Sequence, residues 1–415
     1  MKKILIIKFI FLYLVFINGY SYASVQCDYT INDYIIGDDS LARSNGQLIT
    51  GTVCGYYGDG KLKFEEPYKS GQIDGIAKYY NESGKLYVEE PYVAGQREGL
   101  KKIYYESGKL KAEIPFKVDQ AEGIVKSYYE NGKLEAEEPY KSGQREGFKR
   151  IYYENGKLKA EIPFKAGQTD GIAKSYYHSG NLEVEEPYVA GQREGFKKIY
   201  YENGKLKAEI PFKVGQTDGI AKSYYQSGNL EVEEPYVAGQ REGLKKIYYE
   251  NGKLTAEIPF KLGQTDGVAK FYYQSGNLEV EEPYVAGQRE GLKKIYYESG
   301  KLKAEIPFKV DQTEGVARFY YESGKLESEE PNRAGRKEGI VKFYTESGRL
   351  KQESPYKGGQ REGITIVYYE NNGRLWGNIT YRSDTAVSGV CADKRVFTSA
   401  EVTNWNNGYE VTCND

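Results

Sequence analysis

The residues able to do chemistry are few in kind and repeated in place. The chain of 415 residues has one histidine, His178, and four cysteines. His178 occupies a turn slot filled by Gln226 and Gln274 in equivalent segments, so it reads as a surface substitution. No Ser/His/Asp or Cys/His set can be assembled around it. Carboxylates abound, as in Glu185-Glu186, but neighbours in a strand point to opposite faces. Such pairs recur along the chain and none stands apart from its copies. Gly55-x4-Gly60-Lys61 has the outline of a phosphate-binding loop. Leu62, however, stands where Ser or Thr would hold magnesium, and the flanks are those of a hairpin. No CxxC and no nearby histidine supports a metal site. The expectation is a protein that is not an enzyme and needs no cofactor or metal.

The cysteines suit structure instead. Cys27 and Cys54 lie near the start, Cys391 and Cys413 near the end. Four cysteines allow three connectivities. The local pairs Cys27–Cys54 and Cys391–Cys413 are expected, because the array between them should hold its ends apart.

What positions these residues is a repeat. The stretch Gly191 to Val214 recurs with variation every 24 residues, and all 13 prolines, from Pro67 to Pro355, fall at one repeat position. A fixed period of this size signals a repeat architecture. Within one unit, Gly195-Phe196-Lys197-Lys198-Ile199-Tyr200-Tyr201 is rich in aromatic and β-branched residues, and Leu206 to Phe212 alternates apolar and polar. The Asn203-Gly204 between them predicts a two-residue type I′ hairpin, and a second tight turn is expected around Gly215-Gln216. Glycine and proline punctuate every unit, which excludes helix. The predicted fold class is all-β: an elongated array of stacked antiparallel hairpins, with small disulfide-stapled caps.

Two-residue turns would fix the register. They place Tyr201 opposite Leu206, Ile199 opposite Ala208, Lys197 opposite Ile210 and Gly195 opposite Phe212. Across the next turn they place Glu186 opposite Lys197 and Tyr188 opposite Gly195. The units alternate between EEPY and EIPF, and the facing residue alternates with them: Glu186–Lys197 and Glu234–Lys245 are charged, Ile162–Ala173 and Ile210–Ala221 apolar. Cross-strand pairs of this kind are worth roughly 0.2–1 kcal/mol each. The opposite face carries Lys198 between Glu185 and Glu209, and is expected to be solvated.

The ends differ from the array. Residues 1–23 read as a signal peptide: Lys2 and Lys3, an apolar run from Phe9 to Ile17, then Ser21-Tyr22-Ala23. The run is short for a membrane span. Residues 24–50 form an N-terminal segment, residues 51–382 the array, and residues 383–415 a C-terminal cap. In that cap Thr398-Ser399-Ala400-Glu401 has a capping-box pattern, predicting a short helix to about Trp405, stopped by Gly408. Export places the protein in the periplasm, at the cell surface or in the medium, where disulfides persist.

The formal net charge of −2 gives no footprint for nucleic acid. The 42 tyrosines are the compositional outlier, and tyrosine is favoured at interfaces. The row Tyr177, Tyr201, Tyr225, Tyr249 and Tyr273 is the candidate binding surface. Its expected partner is another protein or a cell-envelope component, with membrane contact allowed but no spanning.

Gly195-x4-Tyr200-Tyr201-Glu202-Asn203-Gly204-Lys205-Leu206 resembles the MORN repeat in its bacterial variant, over about Gly51 to Arg382. The invariant proline, the signal peptide and the cysteine caps depart from the family pattern. The resemblance implies a twisted sheet of stacked hairpins, often with a groove. It also implies roles as scaffold, dimerisation module or lipid-headgroup binder, and some bacterial variants are described as YwqK-type antitoxins. An exported binding or scaffold protein is therefore expected. A periplasmic immunity protein and a lipid-headgroup binder are the alternatives. The family carries no catalytic residues to this chain.

Overall fold

A computed structural model of the chain describes residues 26–409 and 411–413. The expected signal peptide lies outside the described residues. The chain divides into two compact units, one ending at Gln144 and the other beginning at Arg145.

Each unit is built from the predicted hairpin. In the second unit, strand Gly195–Tyr200 pairs antiparallel with Leu206–Lys213, matching Gly195 with Phe212, Lys197 with Ile210 and Ile199 with Ala208 as expected. Glu185 then lies opposite Lys198 and Val184 opposite Ile199 in the preceding hairpin. The expected Glu–Lys pairs form: Lys197 Nζ is 3.2 Å from Glu186 and Lys245 Nζ is 3.1 Å from Glu234.

The turns depart from expectation. At Asn203-Gly204 the loop holds three residues. Tyr201 donates its N–H to the Lys205 carbonyl and Gly204 donates to the Tyr201 carbonyl, both at 2.8 Å. Gly204 alone has positive φ, +82°, the signature of a type I turn closed by a glycine bulge. The ladder slips beside this turn, so Tyr200, not Tyr201, lies opposite Leu206. The true two-residue turn is at the other end. Lys213 pairs with Gln216 across Val214 and Gly215, whose φ angles are +50° and +76°. There too the register slips, and Tyr188 lies opposite Arg193 rather than Gly195.

Hydrogen bonds at both ends tie each hairpin to the next. The Glu194 carboxylate accepts from the Val214 N–H at 2.8 Å, and the Lys205 ammonium donates to the Ser227 carbonyl at 2.7 Å. The Glu/Asp-Gly and Gly-Lys/Asn patterns of the sequence thus carry the stacking contacts. Buried apolar side chains in the second unit's repeats are small: Ala256, Ala269, Ala304, Ala317 and Val341.

The larger cores are at the caps. In the first unit Ala42, Ile49, Val53 and Tyr68 cluster beside the disulfide Cys27–Cys54, and Tyr29–Thr30 adds a short parallel strand to Gly51–Tyr56. In the second unit the sheet does not stop at Arg382, since strand Thr385–Cys391 pairs with Leu375–Arg382. Helix Ser399–Asn406 forms with its capping box. Trp405 stacks on Trp376 with centroids 5.3 Å apart and donates to the Tyr381 hydroxyl at 2.7 Å. Cys391–Cys413 closes this cap. The two local disulfides are those expected.

Candidate functional site

The site is a recessed surface of the second unit, on the face that carries Ala208, Ile210 and Phe212. Alternation in the strand brings these three to one face. The neighbouring strand Gly219–Tyr224 adds Ala221 and Ser223, with Ala208 directly opposite Ser223. Small side chains leave a hollow of about 440 Å3 there, walled by Ile210, Phe212, Val232 and Tyr236 and rimmed by Glu234 and Lys245. The same hollow recurs one 48-residue doublet earlier, with about 320 Å3 among Ala160, Ile162, Phe164, Ala173, Ser175, Val184 and Tyr188.

The rim carboxylate is held by two cations. Glu234 is reached by Arg241 Nε at 2.7 Å and Lys245 Nζ at 3.1 Å, and accepts from the Tyr236 hydroxyl at 2.8 Å. Burial pushes this carboxyl's pKa up, but the tyrosine and lysine hydrogen bonds and the two cations outweigh it and hold the group below its ordinary value. Glu186 has the same surroundings, with Arg193 Nε at 2.7 Å. Arg193 also stacks over the Phe212 ring at 5.3 Å, as Arg241 does over Phe260 at 5.4 Å. Such surroundings leave the carboxylate fully paired beside one surplus positive charge, and the apolar walls favour a largely apolar group.

The tyrosine row singled out from the sequence lies elsewhere, at the hairpin tips. Tyr177, Tyr201, Tyr225 and Tyr273 each donate at 2.7 Å to the carbonyl of the tyrosine 23 positions on, and Tyr249 does so at 3.0 Å. Their hydroxyls therefore link successive hairpins. The tyrosines that wall the hollows are Tyr188 and Tyr236. His178 is exposed in its turn and packs on Tyr153 at 3.8 Å. Lys61 closes a hairpin, 2.7 Å from Asp59, so the Gly55–Lys61 stretch is no phosphate loop.

The opposite face is less solvated than its charges suggest. Tyr200 donates to Glu185 at 2.9 Å and Tyr272 to Glu257 at 2.8 Å, laying half-buried rings over the carboxylates. It also carries one exposed apolar residue per hairpin, opposite the proline. Phe196 is 56% exposed and faces Pro211, and Ile220 is 51% exposed and faces Pro235. The signal was in the sequence, since every repeat glycine from Gly75 to Gly363 is followed by Ile, Leu, Phe or Val. Periodicity alone could not say which of the two faces would be recessed.

A family model described as a MORN repeat variant matches residues 49–70, 73–94, 97–117, 121–142, 145–166, 169–190, 193–213, 217–238, 241–262, 265–286, 289–309, 313–331 and 337–357. No curated protein matches the chain by sequence. Among solved structures, TcdB2-TccC3 is 12% identical over 85% of this chain and 24% of its own, with a TM-score of 0.16. A Photorhabdus luminescens Tc holotoxin pore is 12% identical over 83% of this chain and 24% of its own, with a TM-score of 0.15. The chain spans about a quarter of the length of these structures, and likenesses at such scores carry no argument.

Proposed function

We propose that this chain, which belongs to the MORN repeat variant family, is an exported, non-enzymatic scaffold that binds another protein or a cell-envelope component through the recessed face of its second unit. The observation that carries this reading is the hollow that recurs at Ala160–Ser175 and Ala208–Ser223. A surface whose apolar floor and internally paired rim carboxylate repeat at a fixed interval suits polyvalent recognition better than turnover. The two disulfides support an oxidising, exported setting. Among the described residues no helix is long and apolar enough to cross a membrane. One surplus cation per hollow falls short of the clustered Lys and Arg that an anionic lipid surface calls for.

The test is site-directed photo-crosslinking in cells producing the protein. A photoreactive residue at Ile210 should give a discrete adduct, and one at the exposed turn residue Glu202 should not. No adduct from Ile162, Ile210 or Ala221 would sink the scaffold reading. Protease added to intact cells then distinguishes surface exposure, which degrades the chain, from the periplasm, which protects it.

A further inference from the structure

The position held by Ser175 and Ser223 decides whether a hollow exists. In the next doublet it is Phe271, directly opposite Ala256, and in the one after it is Phe319, directly opposite Ala304. There the neighbouring Ala269 is 1% and Ala317 3% exposed, against half-buried Ala173 and Ala221 beside the serines. The second unit thus builds one framework four times, leaves two copies open and fills two with its own phenylalanine.

The open pair sets the geometry of what fits. Ser175 and Ser223 lie four strands apart, about 19 Å at the usual spacing between strands, and an extended chain covers that distance in about six residues. Six is even, so both side chains project from the same side of an extended segment. A helix covers it in about thirteen residues, which leaves the two side chains on different sides at 3.6 residues per turn. Each hollow presents aliphatic and aromatic walls, and its rim carboxylate is already engaged by Arg193 and Lys197 or by Arg241 and Lys245, so an apolar side chain is the group complementary to the walls.

We propose that the hollows at Ser175 and Ser223 are paired anchor sites for an extended polypeptide segment bearing apolar side chains six residues apart. The assignment rests on the scaffold reading above and names its ligand. Binding both anchors makes the second contact intramolecular, so affinity depends on their spacing.

The experiment uses the purified full chain and fluorescein-labelled Thr/Ser peptides of about eleven residues, carrying one leucine or two leucines five, six or seven residues apart, read by fluorescence anisotropy. The six-residue spacing should bind at least about tenfold more tightly than the single-leucine peptide and the other spacings. The double variant Ser175→Phe, Ser223→Phe, which copies the chain's own solution at Phe271 and Phe319, should remove that advantage, and Ser175→Ala, Ser223→Ala should keep it. Failure of every peptide to bind, indifference to spacing, or binding undiminished by the phenylalanines overturns the anchor assignment. If the crosslink from Ile210 persists in the phenylalanine variant, the anchor assignment falls while the scaffold reading stands. If no crosslink forms in the unsubstituted chain, the scaffold reading itself falls.

Discussion

Tyrosine does two jobs here that differ by one position in the chain. Tyr201, at the hairpin tip, bonds the Tyr224 carbonyl of the following hairpin. Tyr201→Phe removes that bond and keeps the ring, so it should lower stability by roughly 1 kcal/mol in a denaturant titration, and an unchanged midpoint would show the bond to be idle. Tyr200, Tyr248, Tyr272 and Tyr296 instead lie over Glu185, Glu233, Glu257 and Glu281. Burial, then these hydrogen bonds and the carboxylate charge, push their phenols from 10.0 up to about 12. Below pH 10 the phenols are protonated in both the folded and unfolded chain, and their contribution is whole. Between about pH 10 and 12 the unfolded chain releases protons that the folded chain keeps, so stability falls. Denaturant midpoints should drop over that window while phenolate absorbance lags behind that of free tyrosine. Coincident titration of all phenols near pH 10 would contradict it.

At the scale of the element, the two turns of each unit are of different kinds. Gly204 is the position that requires a left-handed backbone at the bulged turn, and Asn203 contributes an Oδ1 acceptor for the Lys205 N–H at 3.0 Å. Gly204→Ala should therefore cost about 1 kcal/mol, and Asn203→Ala less, by thermal melting. Equal costs would indicate the two-residue turn first inferred from Asn-Gly. That inference failed for a definite reason: Asn-Gly serves both the two-residue turn and the three-residue turn with a bulge, and composition does not count loop residues. One extra residue shifts the pairing beyond it, and so Tyr201 was placed opposite Leu206, where Tyr200 lies instead. The pairs Lys197–Ile210 and Glu186–Lys197 survived because they lie in mid-strand, away from either slip. The hollows were written in the sequence as Ser175 and Ser223 against Phe271 and Phe319. They were not legible there, because only the three-dimensional pairing with Ala160, Ala208, Ala256 and Ala304 gives the exchange its meaning.

For the molecule as a whole, the ends carry most of the large buried apolar side chains. Ile379, Tyr381 and Phe397 are buried in one cap, and Ile49, Val53 and Tyr68 in the other. A disulfide constrains each, and for loops of this length its loss costs roughly 2–4 kcal/mol. Reduction should therefore free the caps before the repeats, raising hydrogen exchange around Cys54 and Cys391 while amides such as that of Lys198 stay protected. Simultaneous loss of protection throughout would show that the caps govern the repeats. The fold class, the capping box and the cysteine pairing were legible because each depends on local spacing. Which face is recessed depends on which small side chains meet across neighbouring strands, as Ala208 meets Ser223, and no local pattern records that.

The alternation of Glu186–Lys197 with Ile210–Ala221 has a consequence for heredity. Excision of a single hairpin, residues 195–218, would bring Glu186 against Ala221 and leave the carboxylate without its lysine. Excision of two hairpins restores every pair. Recombination between near-identical copies can therefore shorten or lengthen the gene harmlessly only in steps of 48 codons. Alleles from closely related strains should differ by even numbers of hairpins, and an odd difference found by sequencing would show that the mismatched pair is tolerated.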